Sequence, residues 1–507
     1  MFASLNDAPR WWAFETPDEH AIVFGEDTVS YHELDQWVDR AALLLHAEGI
    51  EVGDRVAVVG LNSVEWVVAA LAALRCGAVV TGINHRFVAR EIAYAIEQYE
   101  PRVVLAAESH RGRVEEVLKS TDAKFVLRPL SDVTDVRIGE TVRFKEPALD
   151  RDHPAVIVST SGTTGMPKGA TLTHGGLLSG MLEWAIMEPA WGHKSRFLGI
   201  LPMAPFGGLC WSVLPQLMWG GTVFLEPEFN PKRALQLLVD EKITVMSGAV
   251  VMFELIAALP EFAAADLSAL TTATVGGSPV PVELLSKWQE RGALLRQTYG
   301  LTEAGGPIQA TSKHDAIDFP DRCGRRPLHR KVRIVRPDGT DCDANEPGEI
   351  IVGGAAVTPG YWNSPETTAV VLKDGWFHTG DLGELDELGF LKVTGRLVEM
   401  IISGGFNIGP AEIEHVVGGL PQVTEVAALG VPDPKFGETP AVVVHLRESI
   451  EVADIIEHCN KHLADYKVPR YVIVSNEPLP RNQSGKIVKH ELRERYPDIP
   501  GTFPRVR

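Results

Sequence analysis

"STSGTTGMPKGATLTHGG" (Ser159 to Gly176) packs glycine, serine and threonine around the lone cation Lys168, just ahead of an apolar, helix-like stretch. It follows a buried-strand pattern, Ala155 to Val158. Gly162, Gly165 and Gly169 would let backbone N–H groups approach an anion, and Ser159, Thr160, Ser161, Thr163 and Thr164 add hydroxyl donors. Phosphate is the natural guest of such a loop; the plainer alternative is a turn in a strand-to-helix connection. A Walker A loop is excluded by spacing. That motif needs Gly-Lys-Ser/Thr after G-x-x-x-x, whereas Met166-Pro167 precede Lys168 here and Gly169 follows it.

The pattern on either side of the loop sets the fold class. Before residue 150, β-branched runs such as "RVAVVG" (Arg55 to Gly60), "AVVTGI" and "RVVLAA" alternate with helical patterns, the texture of βαβ units and a largely parallel sheet. The same alternation resumes from about Ala155 to Gly300. Helix starts are expected where Ser30 pairs with Glu33 and Asn62 with Glu65 at capping spacing, and a helix stop at Gly77. From about Lys331 the chain turns to strands and tight turns, as in "KVRIVRPDGT" and "GELDELGFLKVTGR". After about Arg396 it reads helix, strand, strand, helix, strand, helix, from "PAEIEHVVGGL" to "KIVKHELRERY". The expected fold is α/β: a large N-terminal domain (residues 1–396) of βαβ-type sheets plus a β-rich subdomain, then a small α+β C-terminal domain (residues 397–507).

Composition bounds the function. A chain of 507 residues with 45% hydrophobic and 23% charged residues is ordinary for a globular protein of several domains. A net charge of -19 opposes nucleic acid or an anionic membrane as the main partner, so positive charge for any anionic ligand must be local. The five cysteines are scattered without metal-ligand spacing, which points to inert core thiols. With no targeting pattern, and its most apolar stretch (Val67 to Val80) broken by Arg75 and Gly77, the chain is expected to be a cytoplasmic protein with no integral membrane segment.

"TSGTTGMPKG" resembles the signature loop of the adenylate-forming superfamily: acyl-CoA synthetases, peptide-synthetase adenylation domains and firefly luciferases. Further strings continue the resemblance in the family's order, namely "QTYGLTEAGG" (Gln297 to Gly306), "GWFHTGDLGEL" (Gly375 to Leu385), "VTGRLVEMIISGGFNIGPAEIE" (Val393 to Glu414) and "LPRNQSGKIVK" (Leu479 to Lys489). Together they span more than half the chain, and the resemblance covers essentially all of it. The resemblance implies that a carboxylate attacks the α-phosphorus of ATP to give an acyl-adenylate and pyrophosphate, after which the acyl group passes to a thiol. Because two anions must meet, the site has to supply positive charge and fixed donors.

By the same resemblance, Thr160, Ser161, Gly162, Thr163, Thr164, Gly165 and Lys168 wrap the β- and γ-phosphates. Glu303 holds Mg²⁺ together with phosphate oxygens, and Thr302 sits beside the α-phosphate and the substrate carboxylate. Tyr299 stacks on adenine beside Gly300, while Gly276, Gly277 and Ser278 of "VGGSPV" line the adenine pocket. Asp381 and Arg396 hold the ribose. Lys486 swings in with a mobile C-terminal domain to bridge carboxylate and α-phosphate. Ser403, Gly404, Gly405, Phe406 and Asn407 then lie against the pantetheine arm of coenzyme A, with Lys467, Arg470, Lys489 and Arg493 as candidates for its phosphates. Each has a plainer alternative: a buried tyrosine, a Gly-Asp turn, a solvated lysine.

Two positions depart from the family pattern. Val398 stands where the hinge residue is commonly Asp or Lys, and Pro205 stands where a channel-gating His is common, leaving Phe206 as the candidate gate. The acyl pocket is expected around Phe206, Gly207, Gly248, Val250 and Gly277. "PFGGLCWS" and "MSGAVVMFE" carry no Lys or Arg for a second carboxylate, which favours a hydrophobic monocarboxylic acid, whether fatty, alicyclic or aryl. The expected enzyme is an AMP-forming acyl-CoA synthetase using ATP, Mg²⁺ and coenzyme A, with a homodimer as the candidate assembly. The alternative is a stand-alone adenylation enzyme that loads a carrier protein.

Overall fold

A computed structural model describes residues 4–507 except 161–167, 189, 205–207, 278–279, 326, 400, 404–405, 464 and 483–484; at 398, 402, 406, 407 and 466 it describes the backbone alone. The described strands form four sheets.

The first sheet has six strands in the order Val126–Pro129, Val103–Ala106, Arg55–Val59, Val79–Ile83, Pro154–Thr160, Lys168–Thr173. All its pairings are parallel except the last. That last pairing corrects the reading of the opening stretch. "KGATLT" is a strand that turns back on Pro154–Thr160, with Thr160 facing Lys168, so the loop is the tip of a hairpin and not a strand-to-helix connection. The helix His174–Met187 starts one element later, where the Thr173 side chain accepts from Gly176 N. Gly169 also serves a different purpose from the expected one. A methyl there would come within 2.5 Å of the Tyr99 ring and 2.7 Å of Ile157, so packing of the ladder, not approach to an anion, requires glycine.

The eight-stranded sheet runs Gly306–Ala310, Leu295–Leu301, Thr272–Gly276, Val245–Ala249, Arg196–Gly199, Thr222–Leu225, His20–Phe24, Asp27–Ser30. Its five middle pairings are parallel, and both ends are closed by antiparallel pairs. The apolar helix Val64–Arg75 is buried along its whole length, because each turn packs inside the protein. Ser30 and Glu33 close the expected capping box. The next cap is shifted by one residue: Ser63 caps Trp66 N, and Asn62 instead ties its side chain to Leu201 O, Glu226 O and Met203 N. The helix ends before Gly77, whose φ of 74° only glycine adopts freely.

Two five-stranded sheets complete the chain. One contains Lys331–Val335, Gly348–Gly353, Leu372–Lys373, Trp376–Leu385 and Leu391–Arg396. The other contains Ile401–Ser403, Phe406–Ile408, Val423–Asp433, Gly437–Leu446 and Tyr471–Ser475, and it encloses hydrophobic clusters drawn wholly from residues beyond 400. The large α/β body with a small α+β end matches the expected fold class, with one added hairpin, Ile401–Ser403 with Phe406–Ile408. Among the described residues, no helix is long and apolar enough to cross a membrane.

Candidate active site

Three neighbouring parallel strands deliver the site at their C-terminal ends, where open α/β sheets bind ligands. Ala249 faces Gly276, and Gly276 faces Thr298. A methyl on Gly276 would sit 2.7 Å from Thr298 O, so the strand spacing demands glycine. Gly277 has φ 85° and, among the described residues, no atom within 4 Å of where a methyl would be, leaving its backbone accessible to a ligand. At Gly300 a methyl would meet the backbone of Gly306 and Pro307.

After Leu295–Leu301 the chain makes a single 3₁₀ turn, Thr302–Ala304, and returns through Gly305 and Gly306, both with positive φ. Thr302 and Glu303 are half-buried on this turn. Glu303 is fixed from outside it: Tyr361 Oη donates to Glu303 Oε1 at 2.8 Å, and Thr358 N donates to Glu303 O at 2.7 Å. Lys168 Nζ lies 5.5 Å from the centre of the Tyr361 ring. Burial, followed by the charge of Glu303, pushes the Tyr361 hydroxyl pKa upward and keeps it a donor. Nothing in the sequence motifs singled out Tyr361 or Thr358; a Gly-Tyr pair in a turn-rich segment carries no signal of a partner 58 residues away. Among the described residues no cluster of three or more His, Cys, Asp or Glu forms a metal cage. A single carboxylate such as Glu303 would suit Mg²⁺, which keeps waters and shares itself with substrate oxygens.

Asp381 and Arg396 face each other across the ladder of Trp376–Leu385 and Leu391–Arg396, with Asp381 Oδ1 3.0 Å from Arg396 Nε. Tyr299 Oη donates to Asp381 Oδ2 at 2.9 Å. The Tyr299 ring is therefore buried, and burial together with Asp381 raises its pKa. Its hydroxyl orients the carboxylate that the motif assigns to the ribose.

Lys486 reaches this corner from the C-terminal sheet. Asn482 shapes its turn, accepting from Lys486 N at 2.9 Å through Oδ1 and donating its own N–H to Lys486 O at 2.8 Å. Gly485 takes φ 81°, and a methyl there would meet Val251 Cγ1 at 2.9 Å, so backbone conformation and close approach both require glycine. The Lys486 side chain still reaches solvent. Its ammonium nevertheless sits deep enough among protein atoms, and near enough to Arg396, that its pKa falls below the usual 10.5 against the pull of Asp381 and Glu399.

The remaining positions are dispersed. Ser161, Gly162, Thr163, Thr164, Gly165, Phe206, Gly207, Ser278, Gly404 and Gly405 lie outside the described residues, and Phe406 and Asn407 are described in backbone only. Ser403 is buried in its strand. Gly248 is the penultimate residue of its strand, beside Phe253, whereas Val250 is buried in the core; its neighbour Val251 is the residue that meets the Lys486 turn. Lys489 is paired with Glu399 (3.2 Å) and Glu414 (2.8 Å), and Lys467 with Glu412 (2.6 Å). The Arg470 guanidinium lies over the Phe436 ring.

Residues 9–362 match the model of the AMP-binding enzyme family, and residues 412–486 that of the AMP-binding enzyme C-terminal domain. The chain belongs to this family of adenylate-forming enzymes. It is 36% identical to the feruloyl-CoA synthase of an Amycolatopsis species over 97% of this chain and 99% of that one. It is 34% identical to the long-chain-fatty-acid–CoA ligase FadD13 of Mycobacterium tuberculosis over 96% of each. ATP-bound MatB from Rhodopseudomonas palustris superimposes with a TM-score of 0.89 at 30% identity, covering 98% of this chain and 100% of that one; apo MatB gives 0.80. This AMP-binding enzyme is an AMP-forming acid–thiol ligase. It activates a carboxylic acid as the adenylate with ATP and passes the acyl group to coenzyme A. Loading of a carrier protein is not favoured, since these relatives are CoA synthases and ligases.

Proposed function

We propose that this ligase takes a hydrophobic monocarboxylic acid and that its two domains, 1–396 and 397–507, divide the two half-reactions by rotation about the segment Leu397–Glu399. The observation that carries this reading is the docking of the Lys486 turn on Val251, which brings one cation of the C-terminal domain beside Asp381 and Arg396. Two anions must approach each other in adenylation, and a cation held in a partly desolvated site offsets that repulsion where charge accumulates. The greater likeness to ATP-bound than to apo MatB supports an arrangement poised for this first step.

In this reading Lys486 bridges the substrate carboxylate and the α-phosphate, and Thr302 donates beside them. The hairpin tip from Thr160 to Lys168 wraps the β- and γ-phosphates, and Glu303 would hold Mg²⁺, which neutralises phosphate charge. Asp381 and Arg396 take the ribose; Gly276, Gly277, Ser278, Tyr299 and Gly300 frame the adenine. In the second half-reaction Ser403 to Asn407 line the pantetheine arm once the C-terminal domain has turned.

The acid class rests on the walls. Trp211 lies in the space that a side chain at Gly306 would need, so an indole closes the pocket behind the catalytic turn. Arg330 packs near that indole, is buried, sits 3.4 Å from Glu183 and donates to Pro307 O, so its charge is offset by that carboxylate. A second carboxylate would have to compete with Glu183 for the Arg330 charge. The relatives that act on ferulate and on long-chain fatty acids span ring and chain. Acid-dependent pyrophosphate release across a panel of aryl, alicyclic, fatty and dicarboxylic acids, with and without coenzyme A, tests this. Preference for dicarboxylic acids would overturn it.

A further inference from the structure

The segment around Tyr361 lies inside the family match but outside the strings quoted above, and it touches both Lys168 and Glu303. It is tightly held. Thr171 N donates to Gly360 O (3.0 Å), Trp362 N to Gly169 O (2.7 Å), and Thr358 Oγ1 to Thr171 O (2.6 Å), so the segment runs as a short added edge along the strand that begins at Lys168. Tyr361 N donates to Thr368 Oγ1 at 2.9 Å. The far side is clamped by Arg55, whose guanidinium carbon lies 5.5 Å from the Trp362 ring centre, and by Gln98, which donates to Trp362 O at 3.2 Å. From this rigid base the Tyr361 ring forms a wall for the Lys168 ammonium, and its hydroxyl ends on Glu303 Oε1 at 2.8 Å.

We infer that Tyr361 is a positioning residue that couples the phosphate hairpin to the metal carboxylate, holding one oxygen of Glu303 so that the other faces the Mg²⁺·phosphate group. This rests on the reading of Glu303 as the Mg²⁺ residue. A carboxylate on a single 3₁₀ turn, flanked by glycines, has several rotamers open to it, and a hydrogen bond from a fixed donor selects one before the ligand arrives. The same ring that fixes Glu303 stands beside Lys168. Glu303 and Lys168 are thus set against one ring.

The two roles separate by substitution. Tyr361→Phe keeps the ring beside Lys168 and removes only the hydroxyl; Tyr361→Leu removes both. Calorimetric binding of α,β-methylene-ATP, with Mg²⁺ and with EDTA, reads them without turnover. Y361F should bind about tenfold more weakly in Mg²⁺, the loss expected for a hydrogen bond to a charged group, and should match the wild type in EDTA. Y361L should be weaker in EDTA as well. In turnover, Y361F should raise the Mg²⁺ concentration for half-maximal rate while leaving the KM for the acid in place. Wild-type affinity of Y361F in Mg²⁺, or equal weakening with and without the metal, would overturn the coupling. Glu303→Gln separates this from the underlying reading. If E303Q keeps the full Mg²⁺ enhancement, the metal assignment has failed; if E303Q loses it and Y361F does not, the role of Tyr361 alone has failed.

Discussion

In the proposed reading two lysine-bearing loops meet the nucleotide, and they are built in opposite ways. Lys168 sits at the base of a hairpin, paired in register with Thr160 and backed by the Tyr361 ring, all within the large α/β body. Lys486 sits in a turn of the C-terminal sheet and reaches the site only because Gly485 lets that turn press on Val251. The first cation is positioned by a covalently continuous ladder, the second by docking one body on another. Docking is the weaker constraint, and it is reversible. In the proposed reading that is its purpose, because the cation that helps make the adenylate must leave before pantetheine can take its place.

The largest effect that could break this contrast is that of Lys486→Ala. Removing a charge aimed at the reacting carboxylate should lower acid-dependent pyrophosphate release by about a thousandfold, while thioester formation from supplied acyl-adenylate stays near wild type. Parallel loss of both half-reactions would mean that Lys486 is not confined to the first. Next comes Gly485→Val, which leaves the ammonium in place but opposes both the φ of 81° and the Val251 contact. Strain of this kind, about 1–3 kcal/mol, should cost adenylation roughly ten- to a hundredfold and spare the second half-reaction. A G485V enzyme with wild-type adenylation would show that docking through this turn is unnecessary. Lys168→Ala should do less: about a tenfold rise in the KM for ATP with little change in kcat at saturation, since it removes one charge-assisted contact to the leaving phosphates. If K168A instead lowered kcat as far as K486A does, the assigned roles would be reversed.

The contrast was only partly legible in the sequence. Three of the five strands of the C-terminal sheet could be read in order, because "AVVVHLRE" and "YVIVS" are short β-branched runs separated by clear helical periods, whereas the short hairpin Ile401–Ser403 with Phe406–Ile408 could not. Local chemistry also announced the capping box at Ser30 and the helix stop at Gly77. The hairpin at Lys168 is not legible, because "KGATLT" continues the small-residue texture of the loop and only its pairing with Pro154–Thr160 reveals a strand. The cap at Ser63 was missed for a related reason: Asn62 is an equally good cap by residue type, and only its distant partners Leu201, Met203 and Glu226 decide between the two. Long-range contacts hid the rest. Tyr361 meets Glu303, Lys489 meets Glu399 and Glu414, and Val251 rather than Val250 meets the lysine turn, none of which follows from spacing along the chain.

The smallest predicted effect sharpens the comparison through protons. In the docked, ligand-free enzyme, burial and Arg396 hold the Lys486 pKa below 10.5. A lowered lysine pKa means that the charged form is disfavoured there, so the ammonium loses its proton at a lower pH than a free lysine would. ATP brings negative charge to the same corner, favours the ammonium and raises that pKa. Between the ligand-free and ligand-bound values the lysine is neutral before binding and charged after it, so nucleotide binding takes up a proton; well below or above that window it takes up none. Calorimetry of α,β-methylene-ATP binding over a pH series rising toward 10.5, in two buffers of different ionisation enthalpy, should read a fraction of a proton taken up per site at the alkaline end. The uptake should vanish in K486A and persist in K168A, because only the docked lysine exchanges burial for a phosphate neighbour. Uptake that survives in K486A would place the titrating group elsewhere and remove the electrostatic distinction between the two loops.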